Sequence, residues 1–200
     1  MLYSMLLREH FFLSAFLRGG YMMFALNDKV VYPGHGVARV NRIIERTVGG
    51  CLTHFYELKF VNKEMIILVP LDNLSSVGIR SLNSHNYIQD VFKTLMIPAK
   101  KCSGNDFNTS SWNKRSKKYQ SCLRSGDLVE ISKIYRDLHY LSQEKELSFG
   151  ERNLLVQTEA LLAEEISMVE SFDKERAVDQ IRACFVQAAL LHSKNTESTI

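Results

Sequence analysis

The 200-residue chain lacks the residue patterns that mark most metal proteins and enzymes. Its four cysteines form no C-x-x-C pair, and its six histidines show neither H-x-H nor H-x-x-x-H spacing. No glycine-rich loop of the phosphate-binding type occurs. These absences argue against a zinc or other metal site, and we expect no enzyme, no cofactor and no small-molecule substrate. The scattered cysteines instead indicate reduced, mostly buried thiols.

Long apolar runs are missing as well. The N-terminal segment 1–23 is apolar, but polar residues at 8–10 interrupt it, and its unbroken run FFLSAFL has only seven residues. That length is short for the core of a signal peptide and far short of the roughly 20 residues that span a bilayer. We predict that residues 1–21 lie upstream of the true start, with a small amphipathic segment as the alternative, and we expect no membrane contact.

The excess of charge is small, but its distribution is uneven. Net charge is +3, and 46% of the residues are hydrophobic, which is ordinary for a globular protein of one large or two small domains. Between Lys100 and Arg124, however, there are seven Lys or Arg and a single acid. Positive charge concentrated in one segment is typical of a surface that binds an anionic polymer.

The region from about 22 to 80 has the pattern of short strands. Pro33, the GHG turn at 34–36 and the Gly49–Gly50 pair separate alternating segments, which predict four or five strands in a small, strongly bent antiparallel sheet or barrel. After the GHG turn, alternation predicts two faces: Val37, Arg39 and Asn41 on one, and Ala38, Val40 and Arg42 on the other.

From residue 84 onward the apolar residues recur at helical spacing. Helices are predicted over about 84–96, 110–125, 127–146, 148–169 and 173–190, with a loop at 99–109 and a frayed tail at 191–200. Asp127 begins one helix, and Ser148 with Glu151 has the spacing of a capping box. We interpret the acidic run LLAEEISMVES as a solvated helix face. The predicted class is therefore α+β, with a small β domain followed by an all-α bundle.

The only tryptophan, Trp112, stands at the head of the basic segment SSWNKRSKKYQ. On a helical wheel Tyr119 and Leu123 fall within about 20° of Trp112, and the lysines fall on the opposite side. One interpretation is an amphipathic helix with Trp112 in the core. The other is a nucleic-acid surface, in which cations neutralise phosphates and Trp112 enters a groove or stacks on a base. The wheel alone favours the core.

Several motifs, in the same order, resemble the CarD/CdnL family of bacterial transcription regulators. They are DKVVYPGHGVARV (28–40), ILVPLDNLSSVGIR (67–80), SSWNKRSKKY from Ser110, SGDLVEISKIYRDL and LSFGE. The resemblance covers about residues 22–186, whereas transcription-repair coupling factors share only the N-terminal module. It implies a Tudor-like barrel over 22–80 that binds RNA polymerase, followed by a helical DNA-binding domain over 81–190.

The resemblance also implies a mechanism. In this family the barrel binds the polymerase β subunit, and a tryptophan of the helical domain enters the minor groove at the upstream edge of the promoter bubble. The open complex then lasts longer. The implied location is cytoplasmic and nucleoid-associated, and DNA contact is expected to be largely independent of sequence.

Residues of this chain match the family's contact positions. Trp112 matches the DNA-entering tryptophan, and the neighbouring basic residues of the predicted DNA site are Lys114, Arg115, Lys117 and Lys118. The implied polymerase contacts are Arg46, Val48 and Leu68, where Leu68 replaces a residue that is often basic in the family. An exposed strand such as 37–46 could also pair with a partner's edge strand. The alternative function is a protein-interaction adaptor whose helical bundle is scaffold without DNA contact.

Overall fold

The computed structural model of the chain describes residues 24–98 and 112–197, without the side chains of 112, 113 and 189–197. The predictions for residues 1–21, for the loop at 99–109 and for the side chain of Trp112 lie outside the described residues. Within them, the order of elements follows the predicted order, with strands first and helices after them.

Five strands of the described residues form one antiparallel sheet. They are β1 (Lys29–Tyr32), β2 (Gly36–Val48), β3 (Cys51–Phe60), β4 (Ile66–Pro70) and β5 (Arg80–Ser81). Their order across the sheet is β4-β3-β2-β1-β5. A 3-10 turn (Leu71–Asn73) and the short helix α1 (Leu74–Val77) lead from β4 towards β5. One face of the sheet encloses a core that includes Val30, Val40, Tyr56 and Leu58.

A β-bulge in β2 changes which face its second half presents. The register with β3 runs Val40 to Leu58 and then Arg42 to Glu57, so Asn41 is the extra residue. A bulge of this kind reverses the alternation beyond it. The prediction that Arg42 shares a face with Val40 is therefore wrong: Arg42 lies on the outer face, and Ile43 packs against the core.

The β2–β3 hairpin extends past its neighbours. β1 pairs with β2 only over residues 36–39, and β4 pairs with β3 only over residues 55–59. Residues 37–39, in the first half of the segment expected to be an exposed strand, are therefore interior to the sheet. Residues 42–48 pair with β3 alone, and β4 also pairs on one side only. These stretches are the open edges on which another strand could add.

In the described part of the chain five longer helices follow: α2 (His85–Met96), α3 (Trp112–Ser125), α4 (Leu128–Glu144), α5 (Phe149–Glu170) and α6 (Lys174–Glu197). Asp127 caps α4, accepting hydrogen bonds from the backbone N–H groups of Val129 and Glu130. The capping box of Ser148 and Glu151 is confirmed. α6 runs past the predicted end near 190, because residues 191–197 contain neither glycine nor proline to stop it.

The helices enclose a second core, built from the apolar stripes that periodicity predicted. Ile88, Leu123, Leu138, Leu162 and Ile181 all belong to it. The α+β class with a sheet domain and a helical bundle is thus confirmed. Among the described residues no helix is long and apolar enough to cross a membrane, and no group of His, Cys, Asp or Glu could hold a metal ion. Of the described thiols, Cys51 is exposed, which differs from the expectation of mostly buried cysteines.

Candidate functional site

The outer face of the sheet carries all three predicted polymerase-contact residues. Beyond the bulge, every second residue of β2 lies on this face, namely Arg42, Ile44, Arg46 and Val48, and both Arg46 and Val48 are exposed. Leu68 of β4 pairs with Glu57, which pairs with Arg42, so Leu68 lies on the same face and is half-buried. Arg46 lies about 13 Å from Arg42 along the strand, near the exposed tip of the hairpin.

A buried carboxylate organises the middle of this face. Glu57 is 6% exposed and accepts hydrogen bonds from Arg42 Nε and Nη2 at 2.9 and 2.8 Å and from Asn41 Nδ2 at 2.6 Å. The bonds from Arg42 and Asn41 hold the pKa of Glu57 below its usual range. The extra residue of the bulge thus supplies part of the anchor, and Arg42 is fixed against the sheet.

The basic helix α3 has an apolar side and a cationic side, as the helical wheel predicted. Leu123 is buried in the helical core and Tyr119 packs against it. Lys114, Lys117 and Lys118 are exposed, and the described residues contain no ion pair to any of them. Three predicted DNA-contact residues are therefore available to an anionic partner, on a helix that its apolar side holds in place.

Arg115 is engaged within the protein instead. Its side chain is only 16% exposed, and its Nη2 lies 3.2 Å from Oε1 of Glu151, which is 5% exposed. Burial would raise the pKa of Glu151, but hydrogen bonds from Ser148 and the charges of Lys145 and Arg115 lower it overall. The carboxylate is thus held ionised, and the pair fastens the first turn of α3 to the first turn of α5.

An exposed phenylalanine precedes Glu151 in α5, and it was not predicted from the sequence as a site residue. Phe149 begins α5 and is 81% exposed, the highest value among the exposed large apolar residues described. It stands two residues before Glu151, in the first turn of α5. The sequence alone did not predict this exposure, because an aromatic residue just after a helix cap also suits a buried position.

Two adjacent carboxylates of α5 join the helical bundle to the sheet. Glu164 Oε1 accepts a hydrogen bond from the backbone N–H of Val37 at 2.9 Å. A Cβ at Gly36 would lie 2.6 Å from the Glu164 carboxylate, so only glycine permits this approach, at a φ of +105°. Burial raises the pKa of Glu164 despite the Val37 bond and the nearby Lys174 and Lys63.

Glu165, the next residue, makes the stronger junction. Its side chain is 2% exposed, and its two oxygens accept from Arg80 Nη1 and Nη2 at 2.7 and 2.8 Å. Asn83 adds two more bonds, from its backbone and side-chain nitrogens. Arg80 also donates to the carbonyl of Gly126, which precedes α4. The interpretation of the LLAEEISMVES run as a solvated face is therefore wrong for its two central glutamates.

The YPGHG stretch, which carried much of the family resemblance, has a structural role at this junction. Cβ atoms at Gly78 and Gly126 would lie 3.4 and 3.3 Å from Pro33, so this proline packs between a sheet-domain turn and the turn between α3 and α4. Val31 and Val37 face the bundle and are almost fully buried. His35 is exposed and makes an edge-to-face contact with the ring of Tyr32, consistent with a structural role. The motif therefore fixes the orientation of the two domains.

Comparisons with known proteins match this two-part organisation. The family model of the CarD-like/TRCF RID domain matches residues 24–82, and that of the CarD C-terminal domain matches residues 90–182. The first match ends just after β5 and the second begins within α2, in the order that the sequence motifs predicted. The chain belongs to the CarD/CdnL family. CarD-type proteins are transcription factors rather than known enzymes, and membership indicates transcription regulation through interaction with RNA polymerase.

Two relatives illustrate the CarD family assignment. YdeB of Bacillus subtilis (strain 168), named as a candidate transcription factor, is 22% identical over 157 residues, which cover 77% of this chain and 97% of YdeB. The solution NMR structure of the 72-residue N-terminal domain of Myxococcus xanthus CarD is 28% identical and covers 32% of this chain and 84% of that domain, with a TM-score of 0.27. The assignment rests on the two family models and on the full-length relative.

Proposed function

We propose that this CarD-family protein binds the β subunit of RNA polymerase through the outer face of its sheet and contacts promoter DNA through α3, stabilising the open complex during initiation. The observation that carries the proposal is the junction at Glu164 and Glu165, which holds an exposed cationic helix at a fixed position relative to an exposed sheet face. A protein with two binding surfaces in fixed relation can join two parts of one complex, here in the cytoplasm at the nucleoid.

The sheet face supplies the proposed polymerase contact over residues 22–80. Arg46 and Val48 lie near the hairpin tip, Leu68 lies on the edge strand, and open backbone edges run along both β4 and the second half of β2. Exposed apolar groups next to a cation are typical of protein interfaces, where arginine is enriched. Leu68 offers no charge, so the polar part of this contact rests on Arg46.

The helical bundle, over residues 81–190, supplies the proposed DNA contact. Phosphate contacts from Lys114, Lys117 and Lys118 give affinity without reading sequence. Attachment to the polymerase raises the local concentration of a weak DNA binder, so a few lysines suffice. Phe149 is an exposed aromatic ring on the first turn of α5, and we propose that it packs against an unstacked base step.

Arg46→Glu tests the polymerase contact. We expect affinity for bacterial RNA polymerase core enzyme to fall about tenfold, because the reversed charge meets a surface selected for a cation. Affinity for a promoter duplex without polymerase should not change. Lys93→Glu is the matched control, since Lys93 is 71% exposed on α2 and the charge change is the same. Equal polymerase affinity of the two variants in a pull-down titration would remove Arg46 from the interface.

Neutralising Lys114 and Lys117 together, both to glutamine, tests the phosphate contacts. If each lysine neutralises one phosphate, the slope of log K against log salt for duplex binding should become shallower by about 1.8. Fluorescence anisotropy at several salt concentrations measures the slope. A double Lys93→Gln and Lys133→Gln variant removes the same charge from exposed sites of the bundle. Identical slopes for both double variants would remove Lys114 and Lys117 from the DNA interface.

A further inference from the structure

Three cations lie in one row across the outer face of the sheet. Lys29 of β1 pairs with Arg39 of β2, and Arg39 pairs with Lys59 of β3. All three side chains are exposed. Directly paired residues point to the same side of a sheet, and neighbouring strands lie about 4.8 Å apart, so the row spans about 10 Å.

These charges are not neutralised within the described residues. Two other arginines of the same face each hold a buried carboxylate: Arg42 pairs with Glu57, and Arg80 pairs with Glu165. In the described part of the chain no ion pair involves Lys29, Arg39 or Lys59. The face therefore contains arginines that are fixed within the protein and, beside them, cations that are left open.

The row does not serve the stability of the fold. Like charges directly opposite each other on neighbouring strands are destabilising, and exposed side chains add nothing to the core. Along the strands, the row lies between Val31 and Val37, which the helical bundle covers, and the anchored pair of Arg42 and Glu57. It is thus next to the domain junction and open to a partner.

The surroundings of the row indicate which kind of anion it binds. Lys59 pairs with Ile66 of the edge strand, which is 56% exposed, and Leu68 follows on the same face. A phosphate backbone offers no apolar group to Ile66, whereas a protein segment that alternates acidic and apolar side chains matches both features. The open edge of β4 also suits a peptide more than a nucleic acid.

We propose that the row Lys29–Arg39–Lys59 binds an acidic segment of the polymerase, extending the contact made at Arg46 and Val48 towards the helical bundle. The proposal rests on the proposed function, since the partner is the same enzyme. The sheet thus has a second contact with the polymerase, based on charge complementarity, at the end of its outer face nearest to the DNA-binding domain.

Arg39→Glu tests the proposal because it should weaken binding without lowering stability. An acid between two lysines relieves the repulsion within the row, so the melting temperature should stay level or rise. Affinity for RNA polymerase core enzyme should fall about tenfold or more, and most strongly at low salt. Lys93→Glu again controls for net charge, and Arg46→Glu is measured in parallel on the same polymerase.

The outcomes separate this proposal from the function on which it rests. If Arg46→Glu weakens binding and Arg39→Glu does not, the row is not a contact although the polymerase interface stands. If the wild-type protein binds no polymerase, both fail. If Arg39→Glu lowers affinity for a promoter duplex and leaves polymerase binding unchanged, the row binds phosphate and the proposal is wrong.

Zero-length cross-linking gives a direct readout. A carbodiimide joins a lysine amine to a carboxylate with which it forms an ion pair, and mass spectrometry locates the new amide. In the complex with RNA polymerase core enzyme we expect Lys29 or Lys59 to be linked to an Asp or Glu of the β subunit. Saturated complexes in which neither lysine is linked would overturn the proposal.

Discussion

Replacing Glu165 by alanine should lower the free energy of unfolding by about 3 kcal/mol and loosen the connection between the two domains. The carboxylate is buried and accepts four hydrogen bonds from Arg80 and Asn83. Removing one partner of a buried ion pair costs about 3–5 kcal/mol, because the other charge is left without compensation. We take the lower end, since the Arg80 side chain is 25% exposed and water can reach it.

Denaturant titration measures the loss of stability, and NMR residual dipolar couplings measure the loss of a common domain orientation. Wild-type couplings from both domains should fit one alignment tensor, whereas those of Glu165→Ala should need two. Glu146→Ala is the control, because the Glu146 carboxylate is 90% exposed in a surface pair with Arg152, and such pairs contribute little. A Glu165→Ala protein as stable as wild type, with one tensor, would show that this pair does not hold the domains.

The same variant tests whether fixed domain orientation matters for function. Arg46 lies on the sheet domain, and Lys114 lies on the bundle, so Glu165→Ala leaves both proposed contacts intact. We expect nearly normal affinity for polymerase and for DNA when each is measured separately, but a shorter open-complex lifetime when both must be bound at once.

Trp112→Ala should shorten the open-complex lifetime about tenfold and leave the melting temperature almost unchanged. The backbone places Trp112 in the first described turn of α3, three residues before Arg115, whose pair with Glu151 fixes that turn. Contact between an aromatic side chain and a base contributes about 1–3 kcal/mol by alanine substitution, which is enough for this change in lifetime. Competitor-challenged dissociation of preformed complexes measures the lifetime.

Thermal unfolding of Trp112→Ala decides between the two interpretations of the tryptophan. A core tryptophan would cost about 3–5 kcal/mol on truncation, and that result would favour the adaptor with a structural bundle. Phe149→Ala provides a comparison, because a side chain that is 81% exposed cannot be a core residue. We expect it to shorten the lifetime less than Trp112→Ala and to leave stability unchanged.

Much of the fold followed from local patterns. Three features could be predicted because each depends on residues within one turn of the chain: the turn at Gly49–Gly50, the capping box at Ser148 and the helix end at Gly126. The apolar stripes of the helices were readable for the same reason, since 3.6-residue spacing identifies a buried face without reference to its partner. The motifs also identified the CarD family, which the family models confirm.

Local patterns could not predict which face of the sheet each β2 side chain occupies, nor that the two glutamates of α5 are buried. Alternation placed Arg42 with the core residues, because nothing in NRIIER marks Asn41 as the extra residue of a bulge. Glu164 and Glu165 looked like any solvated pair of acids. Their partners, Val37 and Arg80, are more than 80 residues away in sequence, and local patterns carry no information about such contacts.

By itself the sequence determined the order of elements, their caps, their apolar faces and the concentration of cations around Trp112, since all of these depend on neighbours in the chain. Only the tertiary structure decided which cations are free. Arg115, Arg42 and Arg80 are each held by a buried carboxylate, whereas Lys29, Arg39 and Lys59 are aligned by strand pairing and left open. Whether a charged side chain can bind a partner depends on which opposite charges the fold places next to it. Each of these three arginines is paired with a carboxylate that is almost fully buried.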